Sequence, residues 1–160
     1  EHEYQKYKHT LVLHASDLPK GRGWSPHIWD ILNGSESIIL SLIEAAENID
    51  TGDIWKKITI PVPKHFLWDE INDALFKGEL ELMNWAIYNY ASIIPAAQDI
   101  NETGTYWPKR TTQDSRLATD KSLGEQFDLL RVCDPDRYPA HFEMYGRKYK
   151  LRLEHYDEEK

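Results

Sequence analysis

At 160 residues, the chain is long enough for one compact domain with a sizeable core. Its 41% hydrophobic and 12% aromatic content, with six Trp and nine Tyr, excludes the aromatic-poor profile of a disordered chain. Twenty-seven acidic residues against 19 basic ones give a net charge of -8, which disfavours nonspecific attraction to nucleic acid or an anionic membrane. Cys133 is the only cysteine, so no intrachain disulfide or cysteine framework for zinc is available, and a reducing, cytoplasmic setting is expected. No stretch reaches membrane-span length, and the first four residues do not resemble a signal peptide.

The first element in chain order is a short β-rich run at 10–14, Leu11-Val12-Leu13 within it, which reads as a buried strand. Gly21 and Gly23 bracket Arg22 in a tight loop. Ser25-Pro26 predicts a helix start, with Ser25 as N-cap and Pro26 in the first turn, and Asn33-Gly34 its end. Residues 37–45 and 54–62 read as strands, the second with one wetter side and stopped by Pro61 and Pro63. The clearest helix is expected over 67–94, where Ile71, Leu75, Leu82, Ala86, Tyr90 and Ile93 recur at helical spacing. Gly78 suggests a bend or a break into two helices, and the stripe itself suits core packing or a dimer face. After Gly104 the character changes. Tyr106-Trp107-Pro108 reads as an ordered loop, Ser122 and Glu125 as a capping pair for a short helix, and the last fifty residues as closing in a β-hairpin turning at Tyr145-Gly146-Arg147. Residues 157–160 read as a loose tail.

A strand, a Gly-rich loop, a helix and further strands fit an α/β crevice. The strand that ends at His14 would hand this imidazole to the crevice, and Asp50 follows 36 residues later in Asp50-Thr51-Gly52-Asp53. One imidazole and one carboxylate on such loops suit proton handling, because a histidine exchanges protons near neutral pH and a carboxylate can orient it. The plain alternatives are a strand-end histidine bonded to a backbone carbonyl and an aspartate serving turn chemistry. Trp24 reads as a wall of the crevice and Trp29 as core. Arg22 suits either an anionic substrate group or a surface ion pair. His9, His27, His65, His141 and His155 lack metal-ligand spacing, so no metal is expected.

Three blocks together, His14-Ala15-Ser16-Asp17-Leu18-Pro19-Lys20-Gly21-Arg22-Gly23, Trp29-Asp30-Ile31-Leu32-Asn33-Gly34 and Asp50-Thr51-Gly52-Asp53-Ile54, resemble the formyltransferase family, most closely its nucleotide-sugar N-formyltransferases. The resemblance implies an α/β chain, the second half of a formyltransferase-type Rossmann-like domain (1–103, its N-terminal half missing or supplied by a complementary chain), followed by a small C-terminal helix and β-hairpin (104–160). It implies transfer of a formyl group from N10-formyltetrahydrofolate to a small amine, through a tetrahedral carbon with a developing negative oxygen. His14 and Asp50 match the catalytic residues. Leu18 and Pro19 match the loop near the folate, and the stretch Glu44 to Asn48 and Ile49 the lining of its pterin pocket. The family pattern is Asn-x-His, and Val12 stands in the asparagine position. A nucleotide-linked amino sugar is the expected acceptor, glycinamide ribonucleotide a lesser one, and no nucleic-acid or membrane partner is expected. The alternatives are a non-catalytic binding or assembly module, for which Val12 speaks, and hydrolysis of the formyl-folate.

Overall fold

The apolar runs of the first sixty residues pair with one another, the first two across an intervening helix and the last two directly. In this computed structural model, which describes residues 3–99 and 101–156, the elements run β1 (Leu11–His14), β2 (Arg22–Gly23), α1 (Pro26–Leu32), β3 (Ser37–Glu44), β4 (Ile54–Pro61), α2 (Trp68–Asn89), β5 (Tyr106–Trp107), α3 (Phe127–Arg131), β6 (Ala140–Met144) and β7 (Arg147–Leu151). β1, β3 and β4 form an antiparallel sheet in the order β1-β3-β4. His14 lies opposite Ser41 and Val12 opposite Ile43, with an irregularity between Leu42 and Ile43. These three strands with α1 and α2 make the α/β arrangement expected, its main sheet antiparallel among the described residues. β1 is an edge strand, and its Val12 is 37% exposed, so the expectation of a fully buried strand gives way to one with a single covered face.

Side-chain alternation sorts the sheet into two faces. Leu11 and Leu13 pack with Leu40, Leu42 and Trp55 into a core that also takes Ile31 from α1 and Ile71, Leu75, Leu82 and Ala86 from α2. Each fully buried Ile or Leu among them contributes about 1.5–3 kcal/mol by leaving water. Val12 and His14 point the other way, as do Ser41 and Ile43, by register. α2 runs unbroken through Gly78. Its position faces β4, where an added Cβ would stand 2.5 Å from Ile60 Cδ1, so the glycine lets helix and strand approach without bending the helix. The helix ends at Asn89, short of the expected 94, and Tyr90 is exposed.

Ser25 does precede α1, but with φ 45° and no side-chain cap bond; Pro26 opens the helix as expected. Trp29 is not in the core: it stacks on Trp107 at 5.6 Å and donates its indole N–H to the Pro108 carbonyl, pinning the later segment to α1. That segment also adds β5 parallel to β2, Arg22 beside Tyr106 and Gly23 beside Trp107. Ser122 and Glu125 make the reciprocal bonds of a cap at 2.9 and 3.3 Å, ahead of α3. Leu117, Leu130, Cys133 and Ala140 form a second apolar cluster under the β6–β7 hairpin. The hairpin turn uses two residues, Tyr145 and Gly146 at φ 53° and 73°, rather than three, so Arg147 pairs with Met144. Arg131 is 1% exposed and stitches α3 to the chain before α2, bonding the Asp128 carboxylate at 2.6 Å and the Pro63 carbonyl at 3.2 Å. Among the described residues no helix is long and apolar enough to cross a membrane. The tail expected to be loose, 157–160, lies outside the described residues.

Candidate active site

β1 delivers His14 to the face turned away from the core, where the ring is buried. Its Nε2–H donates to the Gly21 carbonyl at 2.8 Å. This bond fixes the ring and leaves Nδ1 aimed at Asp50, 3.4 Å from Oδ1. The other carboxylate oxygen of Asp50 accepts the Gly23 backbone N–H at 2.9 Å. Both side chains are about nine-tenths enclosed, at 8% and 10% exposure. A neutral ring that donates from Nε2 carries its lone pair on Nδ1, so its meeting with a carboxylate is weak. A proton placed between them turns it into a charge-assisted hydrogen bond. The geometry thus holds a proton acceptor in two parts.

The loop around the pair is tied down from several directions. Ser41 donates its hydroxyl to the Ser16 carbonyl at 2.7 Å, and Ser16 its own to Lys20 at 2.8 Å. Lys57 bonds both the Leu18 carbonyl and Asp17 at 2.6 Å. On the Asp50 side, Gln98 donates to the carbonyls of Asp50 and Gly52, each at 2.9 Å, and receives Arg22 at 2.7 Å. Arg22 also bonds the Asp50 carbonyl at 3.2 Å, so the arginine braces the loop instead of standing free for a substrate or a surface ion pair. Asp50 itself sits at φ 57°, a left-handed position that aspartate tolerates better than most residues. Gly52 lies so close to β3 that a Cβ there would be 1.7 Å from the Glu44 carbonyl oxygen.

The remaining expected site residues scatter. Pro19 lines an open cavity of about 450 Å³ together with Arg22, Thr51, Asp53 and Gln98, and neither His14 nor Asp50 is among its lining residues. Leu18 is 1% exposed, its side chain enclosed. The Glu44 carboxylate lies on the core side of β3, accepting from Trp55 at 2.9 Å and paired with His9 at 2.8 Å. Asn48 is exposed and spends its carbonyl on the Thr51 hydroxyl at 2.9 Å, and Ile49 is exposed. Val12 shares the His14 face but its side chain carries no hydrogen-bonding group, and the nearby Ser16 hydroxyl is committed to the Lys20 carbonyl. Sequence reasoning missed Gln98, which no local signal marks, and the placing of His27 and Arg110 around one cavity. Burial first, then the nearby His14 and Arg110, pushes the His27 imidazole down to about 4. Among the described residues no group of three or more His, Cys, Asp or Glu is placed to hold a metal ion.

The methionyl-tRNA formyltransferase of Rickettsia bellii is 30% identical over 151 residues, 93% of this chain and 49% of that protein. In sequence the chain is thus similar to a formyltransferase. It spans about half the length of the formyltransferases it matches in sequence. The fold agrees: methionyl-tRNA formyltransferase from Clostridium thermocellum superposes with a TM-score of 0.81 at 24% identity, over 94% of this chain and 64% of that one. HypX from Aquifex aeolicus in complex with tetrahydrofolic acid superposes with a TM-score of 0.70 at 20% identity, over 94% of this chain and 26% of that one. No protein-family model matches the chain.

Proposed function

We propose that the chain carries the proton-handling half of an enzyme that moves a formyl group from N10-formyltetrahydrofolate to the amine of a nucleotide-linked amino sugar. The observation that carries this reading is the enclosed approach of His14 Nδ1 to Asp50 Oδ1, with the opposite ring nitrogen fixed on Gly21. When bound, the donor supplies an activated formyl carbon; the cavity bordered by Pro19, Thr51 and Gln98, on the loop that follows Asp50, has room for part of it. An acceptor amine must arrive neutral and shed one proton as its new bond to carbon forms. Asp50 takes that proton on Oδ1 and shares it with His14 Nδ1, and the pair returns it to the departing nitrogen. The Gly21 carbonyl keeps Nε2 protonated, which makes Nδ1 the basic nitrogen throughout. A net charge of -8 favours a small acceptor over a tRNA, whose phosphates would be repelled.

Val12 supports a second reading, a binding module without turnover. It stands on the His14 face with no donor for a developing oxyanion, and one such donor is worth about 3–4 kcal/mol elsewhere. Incubation with N10-formyltetrahydrofolate and a panel of amines separates the readings: amino-sugar nucleotides, glycinamide ribonucleotide and methionyl-tRNA. A formylated amino-sugar nucleotide whose formation needs His14 supports the proposal. Formylated tRNA alone overturns the acceptor, formate release without acceptor points to hydrolysis, and binding without product supports the module.

A further inference from the structure

The tripeptide Gly21-Arg22-Gly23 touches both members of the His14–Asp50 pair. Its first carbonyl accepts the ring N–H at 2.8 Å, and its last N–H donates to the Asp50 carboxylate at 2.9 Å. Whatever places this tripeptide therefore sets the approach of the two side chains. The chain that follows α2 does so. Thr105 accepts the Gly21 N–H on its hydroxyl at 2.8 Å and the Arg22 N–H on its carbonyl at 2.9 Å, and the Trp107 carbonyl accepts the Trp24 N–H at 3.1 Å. The packing is close: a Cβ on Gly23 would stand 2.5 Å from the Trp107 carbonyl oxygen.

Gln98 acts on both members at once. Its amide nitrogen donates to the carbonyls of Asp50 and Gly52, each at 2.9 Å, while its oxygen receives the Arg22 guanidinium at 2.7 Å. Asp50 stands at φ 57°, and a residue with a side chain stays in that region only where its surroundings hold it. The other partner of the Asp50 carbonyl is the Arg22 Nε–H at 3.2 Å, and Arg22 is itself held by Gln98. The amide has a firm base, because Ala96, two residues before it, exchanges backbone bonds with Ile54 at 2.7 and 2.8 Å. One carboxamide thus joins the turn that carries the carboxylate to the tripeptide that anchors the imidazole.

We propose that Gln98 is a positioning residue for proton transfer, assisted by Thr105: its amide holds the Asp50 turn and, through Arg22, the anchor of His14. The catalytic consequence rests on the formyl-transfer reading; the positioning is measured without substrate. Gln98→Glu keeps the length and the acceptor for Arg22 but has no hydrogen for the two carbonyls, and Gln98→Met has neither. In hydrogen–deuterium exchange of the 160-residue chain followed by NMR, both variants speed exchange of the Gly23 amide at least about tenfold and leave the amides of β3 unchanged. An effect confined to that loop is not what a residue of general stability would give. Thr105→Val speeds exchange at Gly21, and Thr105→Ser restores it. In formyl transfer the Gln98 variants lower kcat at least about tenfold, with KM for the amine within about twofold. Circular dichroism checks that each variant is folded, and the Thr105 pair decides if the Gln98 variants do not fold. A Gly23 amide as protected in the folded Gln98 variants as in the parent overturns the positioning, and so does a kcat indifferent to both. Faster Gly23 exchange on substitution, in a chain whose parent form transfers no formyl group, sinks the function and spares the positioning.

Discussion

Replacing Gly52 by alanine tests whether the carboxylate of the site is placed by backbone contact with the sheet. The new Cβ would meet the Glu44 carbonyl oxygen at 1.7 Å, and atoms of that kind do not approach within 3.0 Å. The carbonyl belongs to a strand end held by the Glu44 N–H bond to Asp53 at 2.9 Å and by pairing with Leu11, so it cannot turn aside like a flexible side chain. One backbone or the other must move by more than about 1 Å, a displacement that costs on the order of 100-fold in turnover when it reaches a catalytic group. Overpacking of this kind costs about 3 kcal/mol, which lowers Tm by roughly 6–12 °C for a chain of this size. Urea and thermal denaturation followed by circular dichroism measure the stability loss, and single-turnover formylation measures the displacement of Asp50. Gly124→Ala is the control: the nearest atom is 4.0 Å away, so its stability should stay within about 0.5 kcal/mol. A Gly52→Ala protein as stable and active as this control would refute the argument that close approach sets the loop.

Asp50→Asn keeps an oxygen for the Gly23 N–H but removes the charge beside His14; kcat should fall by about 10²- to 10⁴-fold with a smaller change in KM, measured by steady-state kinetics. Arg131→Ala strips the partners of the Pro63 carbonyl and of Asp128 and should cost about 3–5 kcal/mol in urea unfolding, whereas Arg131→Met, which keeps the volume, should cost distinctly less. His27 is held down to about 4 from an ordinary 6.5, so between those values the unfolded chain carries a proton that the folded one lacks. Unfolding free energy should be fully retained above pH 6.5 and should drop on acidification toward pH 4, by up to about 1.4 kcal/mol per pH unit; His27→Phe should flatten that slope.

The strands and helices near the start of the chain were legible because apolar runs, Pro26 and Asn33-Gly34 are local signals. The His14–Asp50 pair was legible too, through the motif blocks rather than through periodicity. What sequence could not supply were contacts made across the chain. Trp29 has the character of a core residue, yet it leaves the core because Trp107, brought in by β5, offers an aromatic face. Gly78 suggests a break on propensity alone, while packing against Ile60 makes the small residue an asset. Leu18 and Glu44 lie next to chemically meaningful neighbours in sequence, but strand alternation and loop closure turn one inward and the other to the core side. Nothing around Gln98 foretells that its amide reaches back nearly fifty residues.

That reach has a consequence for how such a site changes over time. Because one amide clasps the peptide groups on both sides of Thr51, the carboxylate can be re-aimed by alterations in a stretch nearly fifty residues away in the chain. Drift in the link that follows α2 would shift the His14–Asp50 approach while the recognisable motifs stayed letter-perfect, so two chains with the same signature could hold that pair at different distances.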